Sequence, residues 1–342
     1  MEVFSFLPSL RSYVLTRFIL MIPMILILLT FVFIILRVLP GDPASAILGP
    51  KASPEQKAEI REKLGLDKPI IFQYFSYLGG LLKGDFGRSM LTRRPVLDEI
   101  LERFPATLEL TIFSLLIAFI LGLFLGVESS RRLGSSFDEA FRFYAVVVYA
   151  LPVFWLGMMF QLLFGVKLGF FPVSGRISPL MEPEHITGLY LLDSLLTMNL
   201  ASFLNSLKHL FLPSLTLGIV LSGVFLRLVR GNMVEVLRLD FIRAARARGI
   251  SERRVLYRHA LKNALIPVIT MLGLEFALLL GGAVLTETTF SWPGVGTFLI
   301  MRIRYRDFAA VQGVIVFYAL LVALVSVIVD MICAFIDPRV RY

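Results

Sequence analysis

The chain has 342 residues, of which 57% are hydrophobic and 17% are charged, and its mean hydropathy is +0.81. Soluble domains carry about 25% charged residues, so this composition excludes an ordinary soluble protein and indicates an integral membrane protein. The net charge of +9 does not indicate nucleic-acid binding, because the basic residues lie at the ends of apolar runs rather than along one polar face. Three scattered histidines and one cysteine, Cys333, predict neither an intrachain disulfide nor a metal cluster.

The first apolar run covers residues 18–39 and is preceded by Arg11 and Arg17. A helix needs about 20 apolar residues to cross the hydrocarbon, and this run is long enough. The alternative is a cleaved signal peptide, since the sequence ASA at 44–46 resembles a cleavage site. Signal peptides have apolar cores of about 7–15 residues, so we interpret the run as an uncleaved first span. The sequence PGDP at 40–43 ends it.

A polar segment follows, with ten basic and nine acidic residues between positions 41 and 103. It contains too many Leu, Ile and Phe residues for a disordered tail. Ser53 as the cap and Pro54 as the first helical residue predict a short helix, ended by the Leu-Gly pair at 64–65. We interpret residues 1–105 as one transmembrane helix plus an extracytoplasmic subdomain, followed by a five-helix membrane core at 106–342.

Five further apolar runs predict an all-α bundle of six transmembrane helices in total. The runs cover residues 107–127, 141–164, 209–228, 265–286 and 308–335. Gly122 and Gly126 predict close approach of another helix, with packing inside the bundle favoured over dimerisation. Pro152 predicts a kink in the third span. The apolar stretch at 189–196 is too short to span and is interpreted as interfacial or re-entrant.

The charge distribution predicts the orientation in the membrane. Residues 227–262 contain ten Lys or Arg and three acids, a surplus of +7 in a chain whose total is +9. Short basic loops between spans lie on the cytoplasmic side. With six spans, both termini are then cytoplasmic as well, in a multi-pass protein of the cell's inner membrane.

No catalytic or nucleotide-binding motif is found in the sequence. The stretch GGLLKGD at 79–85 lacks the Gly-Lys-Ser/Thr ending of a phosphate-binding loop. Inside the predicted spans, Glu275 and Gln161 are candidate pathway residues, because a polar group in the hydrocarbon is expensive. The alternative for Glu275 is a structural partner across helices. A single central carboxylate and the absence of repeated halves argue against an ion-coupled secondary transporter, which remains an alternative.

The loop at about 231–264 carries a predicted helix over residues 240–248. The adjacent small residues Ala244 and Ala245 form its tip, and Arg243 lies beside them. Small side chains allow another protein to approach closely, while arginines supply steering and ion pairs. The alternative is a solvated basic loop that sets orientation or contacts anionic lipid.

A second helix is predicted directly after this one. Gly249 permits the left-handed conformation that ends the first helix. Ser251 is expected to cap the next helix, with Glu252 at its positive end. That helix runs through His259 towards Pro267, where the fifth span is predicted to begin.

The sequence RAARARG at 243–249 resembles the EAA loop of ABC-importer permease subunits. In that family the loop forms a coupling helix that docks in a groove of a cytoplasmic ATPase. Arg243 stands where Glu is usual, and HALK at 259–262 replaces the I-x-L-P ending, with the proline postponed to Pro267. Both departures are typical of the peptide branch of the family.

Further motifs resemble the dipeptide/oligopeptide permease B-type subunit along almost the whole chain. They are PGDP (40–43), LGLD (64–67), GDFGRS (84–89), RFPATLEL (103–110), FP (171–172), LPS (212–214) and FSWPG (290–294). The resemblance implies a type I ABC importer permease fold, a heterodimer with a homologous permease, two cytoplasmic ABC ATPases and an extracytoplasmic solute-binding protein. It implies no enzyme activity and no cofactor in this chain, since the ATPase binds ATP and Mg²⁺.

The residues that the resemblance assigns to ATPase coupling are Arg243, Ala244, Ala245, Gly249, Ser251 and His259. The expected cargo is a dipeptide or oligopeptide. Oligosaccharides and nickel chelates are alternative cargoes for the same machinery. A membrane scaffold that transports nothing is a further alternative.

Overall fold

The computed structural model describes residues 10–38, 53–63 and 67–336. Apart from one isolated bridge between Arg88 and Pro95, the regular structure in these ranges is helical, which confirms the all-α prediction. The helices are α1 (Leu10–Val38), α2 (Pro54–Lys63), α3 (Ile70–Leu82), α4 (Val96–Arg131), α5 (Ser136–Ala150), α6 (Val153–Phe160), α7 (Tyr190–Leu196), α8 (Leu200–Val236), α9 (Asp240–Ala247), α10 (Glu252–Gly281), α11 (Val284–Thr289), α12 (Val295–Arg304) and α13 (Phe308–Ile336).

Within the described ranges, α4, α8, α10 and α13 are long and apolar enough to cross a membrane. The pair formed by α5 and α6, with the π-helical extension Gln161–Lys167, is apolar enough to make a fifth span. Helix α1 has 29 residues, and its apolar part is the shorter segment Ile19–Ile35. Each of these elements overlaps one of the six predicted runs, but within the described ranges four or five of them are long and apolar enough to span a membrane, and α1 is not among these.

The third predicted span is broken rather than kinked. Its two parts, α5 and α6, are bent by 100° at the break. Leu151 and Pro152 both have extended backbone there, with ψ of 130° and 124°. Proline disfavours the helical conformation of the residue before it, and this separates the two helices completely.

The helix predicted to begin after Gly249 is confirmed, but it is continuous with the fifth span instead of ending where the span begins. Helix α10 starts at Glu252, and Pro267 lies inside it rather than at its beginning. Its first turns include a π-helical segment, Val255–Ala260. Val255 and Ala260 are fully buried, so tertiary packing holds these turns helical ahead of the proline.

The packing of α4 against α8 forms the centre of the bundle. A Cβ added at Gly122 would lie 2.4 Å from Phe225 Cβ, and one at Gly126 would lie 2.7 Å from Val229 Cβ. The two glycines therefore let the helices of one chain approach closely, which confirms the predicted packing inside the bundle.

Other predictions concern local helix ends. At the start of α2, Ser53 Oγ accepts from the Gln56 amide at 3.2 Å, and Gln56 Oε1 accepts from the Ser53 amide at 3.0 Å. This reciprocal capping confirms the predicted start. The predicted breaks at 40–43 and 64–65 both lie outside the described residues.

The two ends of the bundle differ in structure. The end that carries α9 is called the elbow end. The opposite end, which carries α7, α11 and α12, is called the cap end.

The predicted boundary at residue 105 falls inside α4, which continues through Pro105. The division into 1–105 and 106–342 stays a prediction.

Candidate functional site

Helix α9 presents two different faces at the elbow end. Ile242 and Ala245 are buried in the main core, with exposed fractions of 0% and 6%. Phe241 and Ala244 are exposed, as is Arg248 at the helix end. Ala245 follows Ile242 by three positions and therefore lies on the same, core-facing side of α9. Ala244 lies on a different side of the helix and is exposed. The prediction that both alanines form the accessible tip was therefore wrong for Ala245.

Gly249 ends α9 in the predicted conformation, with φ of +73°. Its amide donates to Arg246 O at 2.9 Å, and the Ile250 amide donates to Ala245 O at 3.3 Å. This pair of bonds is the Schellman arrangement, which requires a left-handed residue at Gly249. An added Cβ would meet nothing within 4 Å, so the backbone conformation alone creates the preference for glycine.

An exposed ion pair closes the elbow across this glycine. Arg246 donates to both carboxylate oxygens of Glu252, at 3.1 and 2.7 Å. The hydrogen bonds to Glu252 raise the pKa of Arg246 above its usual value. Ser251 stands at the start of α10, but its side chain makes no capping hydrogen bond. The predicted side-chain cap at Ser251 was therefore wrong.

The elbow is packed onto the long helices rather than suspended from them. Val255 and Leu256 are buried in the same cluster as Val229 and Met233 of α8. His259 is half-buried, and its carbonyl accepts from Asn263 Nδ2 at 2.8 Å. A force applied to the outer face of α9 would therefore reach α8 and α10 through close-packed side chains.

A buried carboxylate joins three helices at the elbow end. Asp138 of α5 accepts from Arg230 Nε and Nη2 of α8, at 2.6 and 2.8 Å. Ser129 of α4 donates to the same carboxylate at 2.5 Å. The sequence alone does not indicate this group, because Asp138 and Arg230 are 92 residues apart.

The cap end contains a second buried carboxylate, Glu287 of α11. Thr107 Oγ1 donates to its Oε1 at 2.6 Å, and the Thr297 amide donates to its Oε2 at 2.9 Å. Trp292 Nε1 donates to Ala106 O at 2.8 Å beside it. Burial raises the pKa of Glu287 to about 7, although the hydrogen bonds from Thr107 and Thr297 to its carboxylate act to lower it. Two motifs far apart in sequence, at 103–110 and 290–294, thus meet here.

Two more buried ion pairs hold the cap end together. Arg176 donates through Nε and Nη2 to Glu109 Oε2, at 3.1 and 2.8 Å, and its guanidinium lies 3.8 Å from the centre of the Tyr190 ring. Arg302 donates to Glu99 at 2.7 Å. None of these four charged residues was predicted as a site residue, although Glu109 lies within the motif at 103–110.

The two predicted pathway residues have different surroundings. Glu275 is buried, and it has no hydrogen-bond or ion-pair partner among residues 10–38, 53–63 and 67–336. Gln161 Nε2 donates to Val173 O at 2.7 Å and to Thr289 O at 2.9 Å, so its amide ties a loop to α11. A cavity of about 640 Å³ lies elsewhere, between α3 and α13, and neither residue lines it.

Comparison with known proteins identifies the class. Residues 118–342 match the family model described as binding-protein-dependent transport system inner membrane component. Residues 10–111 match the model for the N-terminal part of such membrane components. The chain therefore belongs to this family of inner-membrane permeases. It is a multi-pass transport subunit and not a catalytic chain, and it works within a transporter complex whose ATPase is a separate protein.

Individual relatives are similar over almost their whole length. The dipeptide transport system permease protein DppB of Alkalihalophilus pseudofirmus is 41% identical, covering 97% of this chain and 99% of the relative. The di/tripeptide transport system permease protein DppB of Pseudomonas aeruginosa is 44% identical with the same coverage. The glutathione transport system permease protein GsiC of Salmonella choleraesuis is 38% identical, again covering 97% and 99%.

Proposed function

We propose that this chain is a permease subunit of an ATP-driven importer of dipeptides or other short peptides and forms half of the translocation pathway. The observation that carries this proposal is the full-length similarity to permeases named for dipeptides, for di- and tripeptides and for glutathione. The other half of the pathway would come from a homologous second permease, and an extracytoplasmic binding protein would deliver the cargo.

The elbow is the proposed docking site for one of two cytoplasmic ATPases. Its exposed surface combines an aromatic ring, Phe241, with the small Ala244 and the cation Arg248. A small residue beside an aromatic anchor and a basic rim suits close protein contact. Arg243 lies at the edge of this surface, while Ala245, Gly249 and Ser251 shape the elbow beneath it.

The mechanism is alternating access driven by the ATPases. ATP binding draws the two ATPases together, and the elbow transmits this movement to α8 and α10 through their shared core. Nucleotide shifts the balance between inward-open and outward-open states only through its different affinity for them. The basic surplus of residues 227–262 supports a cytoplasmic elbow end, with both termini on the same side.

Glu275 is the residue of this chain that we propose for the pathway. It is buried without a partner in the described part of the chain, whereas structural carboxylates such as Asp138 and Glu287 are hydrogen-bonded. An uncompensated carboxyl group inside a bundle favours a site that contacts water or cargo. The bonds of Gln161 support a structural role more than a role in the pathway.

Uptake of a labelled dipeptide into cells that contain all subunits tests the coupling role. Ala244→Glu places a bulky charge on the outward face of α9 and is expected to abolish uptake while membrane insertion persists. Ala245 is unsuitable for this purpose, because it is buried. Ala201→Glu, at an exposed position in the first turn of α8, is the matched control. Normal uptake by Ala244→Glu would overturn the coupling role.

The same assay separates the alternatives. An ion-coupled carrier would transport with no ATPase present, and a scaffold would show no change in uptake when the elbow is altered. Competition by unlabelled short peptides, but not by an oligosaccharide or a nickel chelate, is expected for a peptide importer. Competition by the oligosaccharide or the chelate alone would replace the peptide with that cargo.

A further inference from the structure

Helix α3 has the reverse of the side-chain distribution expected for a helix exposed to water. Its outward face consists of Ile71, Phe72, Phe75 and Leu82, with exposed fractions of 53%, 63%, 63% and 90%. A surface helix of a soluble domain places its polar residues outwards and its apolar stripe on the core. Here these exposed residues are hydrocarbon, and Phe72 and Phe75 among them also line the cavity between α3 and α13.

Three polar side chains of α3, Gln73, Tyr74 and Tyr77, are partly buried towards the protein, whereas Ser76 is exposed. Tyr74 Oη shares a hydrogen bond of 2.6 Å with Thr30 Oγ1 of α1. The rings of Tyr74 and Tyr77 pack on Phe33, with centroid distances of 5.3 and 5.5 Å. Polar groups turned inwards and hydrocarbon turned outwards are the arrangement that lipid favours, because acyl chains offer no hydrogen bonds.

The contacts of α3 also give its depth along the bundle. Thr30 precedes the last residue of α1, Val38, by eight positions. Val316, which packs in the same cluster as Tyr77, follows the first residue of α13, Phe308, by eight positions. At about 1.5 Å per residue both registers place the contacts about 12 Å inside the helix ends. The apolar part of α1 ends at Ile35, five positions after Thr30, so the contact with Tyr74 lies about 7 Å inside this apolar segment.

The charges around α3 fit the same placement. Residues 69–82 include no charged side chain, and exposed lysines, Lys68 and Lys83, flank the stretch on both sides. Lysine side chains at the ends of an apolar segment reach back to the phosphates at the membrane surface. In α1, which contacts α3 through Thr30, Ile27 and Phe31 are likewise 69% and 63% exposed and belong to the predicted first span.

We propose that α3 is inserted in the bilayer leaflet at the cap end, and that its outward face binds lipid acyl chains. The helix is too short to span and lies in the membrane as an interfacial element. The N-terminal part of the chain thus contributes a second membrane-embedded element beside α1, rather than a subdomain held wholly in water.

Quenching of a fluorescent label tests this in the complete transporter, reconstituted in bilayers. Cys333→Ser removes the native thiol and keeps a hydroxyl for its contact with Thr270. A polarity-sensitive label is then attached at Phe75→Cys. Ile27→Cys is the lipid-facing control, and Leu180→Cys, whose side chain is fully exposed in a loop of the cap end, is the water-facing control.

Brominated lipid is expected to quench the label at Phe75→Cys about as strongly as at Ile27→Cys, while aqueous iodide quenches only Leu180→Cys. Bromine near the headgroup should act more strongly at position 75 than bromine near the chain end. Iodide quenching at position 75 would place α3 in water, and quenching by neither agent would mean that a protein covers it. Either result overturns the proposal. Phe72→Cys serves if Phe75→Cys fails to insert.

Discussion

Thr107 and Glu287, 180 residues apart, are joined by a hydrogen bond of 2.6 Å in the buried part of the cap end. The same hydroxyl oxygen accepts from the Val295 amide at 2.9 Å. One side chain of α4 therefore holds both the carboxylate of α11 and the first turn of α12. This relationship joins the end of the fifth span to the turn that leads to the sixth.

Removing this hydroxyl is expected to weaken the fold. Thr107→Val keeps the shape of the side chain but removes one hydrogen bond from the Glu287 carboxylate and one from the Val295 amide. This loss should lower the free energy of unfolding by about 1–3 kcal/mol. Thr111→Val is the matched control, because Thr111 Oγ1 is buried without a hydrogen bond within the described ranges. Thermal unfolding in detergent should show a loss for position 107 only. Equal melting temperatures for the two variants would contradict the assigned role.

The buried carboxyl group predicts a pH dependence of stability. Burial raises the pKa of Glu287 from 4.5 to about 7, so the folded protein binds more protons than the unfolded chain between these values. Stability should therefore fall as the pH rises from about 4.5 to about 7, by on the order of 3 kcal/mol, and then level off. Glu287→Gln has no proton to lose and should remove this component. Parallel melting curves for both proteins between about pH 5 and pH 8 would refute the prediction.

The close approach of α4 and α8 predicts a strong response to a single methyl group. Gly122→Ala would place its Cβ 2.4 Å from Phe225 Cβ, so the two helices must separate. Overpacking of this kind lowers stability by about 1–3 kcal/mol. Gly231→Ala, in the same α8, meets nothing within 4 Å and should be neutral or stabilise by up to about 1 kcal/mol. A stable Gly122→Ala protein would mean that the contact is looser than the structure indicates.

Two ion pairs at the elbow end should differ widely in importance. Asp138→Asn leaves the charge of Arg230 without its buried partner and should destabilise the protein by about 3 kcal/mol. Asp240→Asn removes an exposed ion pair, since the side chains of Asp240 and Arg243 are 95% and 72% exposed. Little change in stability is expected from its loss. Melting temperatures of the two variants provide the measurement. A large loss for position 240 would contradict the ranking.

The elbow glycine should affect transport more than stability. Gly249→Ala forces a side chain into the left-handed region, which costs about 1 kcal/mol, and Gly249→Asn should be tolerated better. Gly134→Ala introduces the same strain, at φ of +77° with open space, in the loop between α4 and α5. Peptide uptake should fall for Gly249→Ala and recover partly for Gly249→Asn. An equal fall for Gly134→Ala would remove the special role of the elbow.

The sequence predicted the helices well, because each one follows from a local property. Apolar runs of sufficient length specified the spans, and Gly249 specified the end of α9. The sequence was less informative where the outcome depended on a neighbouring element. The helix that begins at Glu252 was predicted from local signals, but its continuation through Pro267 into the fifth span was not, because a proline by itself indicates a helix boundary.

Composition, charge and motifs by themselves determined the class of protein, the number of apolar runs and the position of the elbow. Only the tertiary structure decided that Ala245 points inwards, that Thr107 holds Glu287 and that α3 turns its hydrocarbon outwards. The reason is physical. Hydrophobicity and backbone preference act within a few residues, whereas a buried polar group needs a partner that the chain brings from any distance.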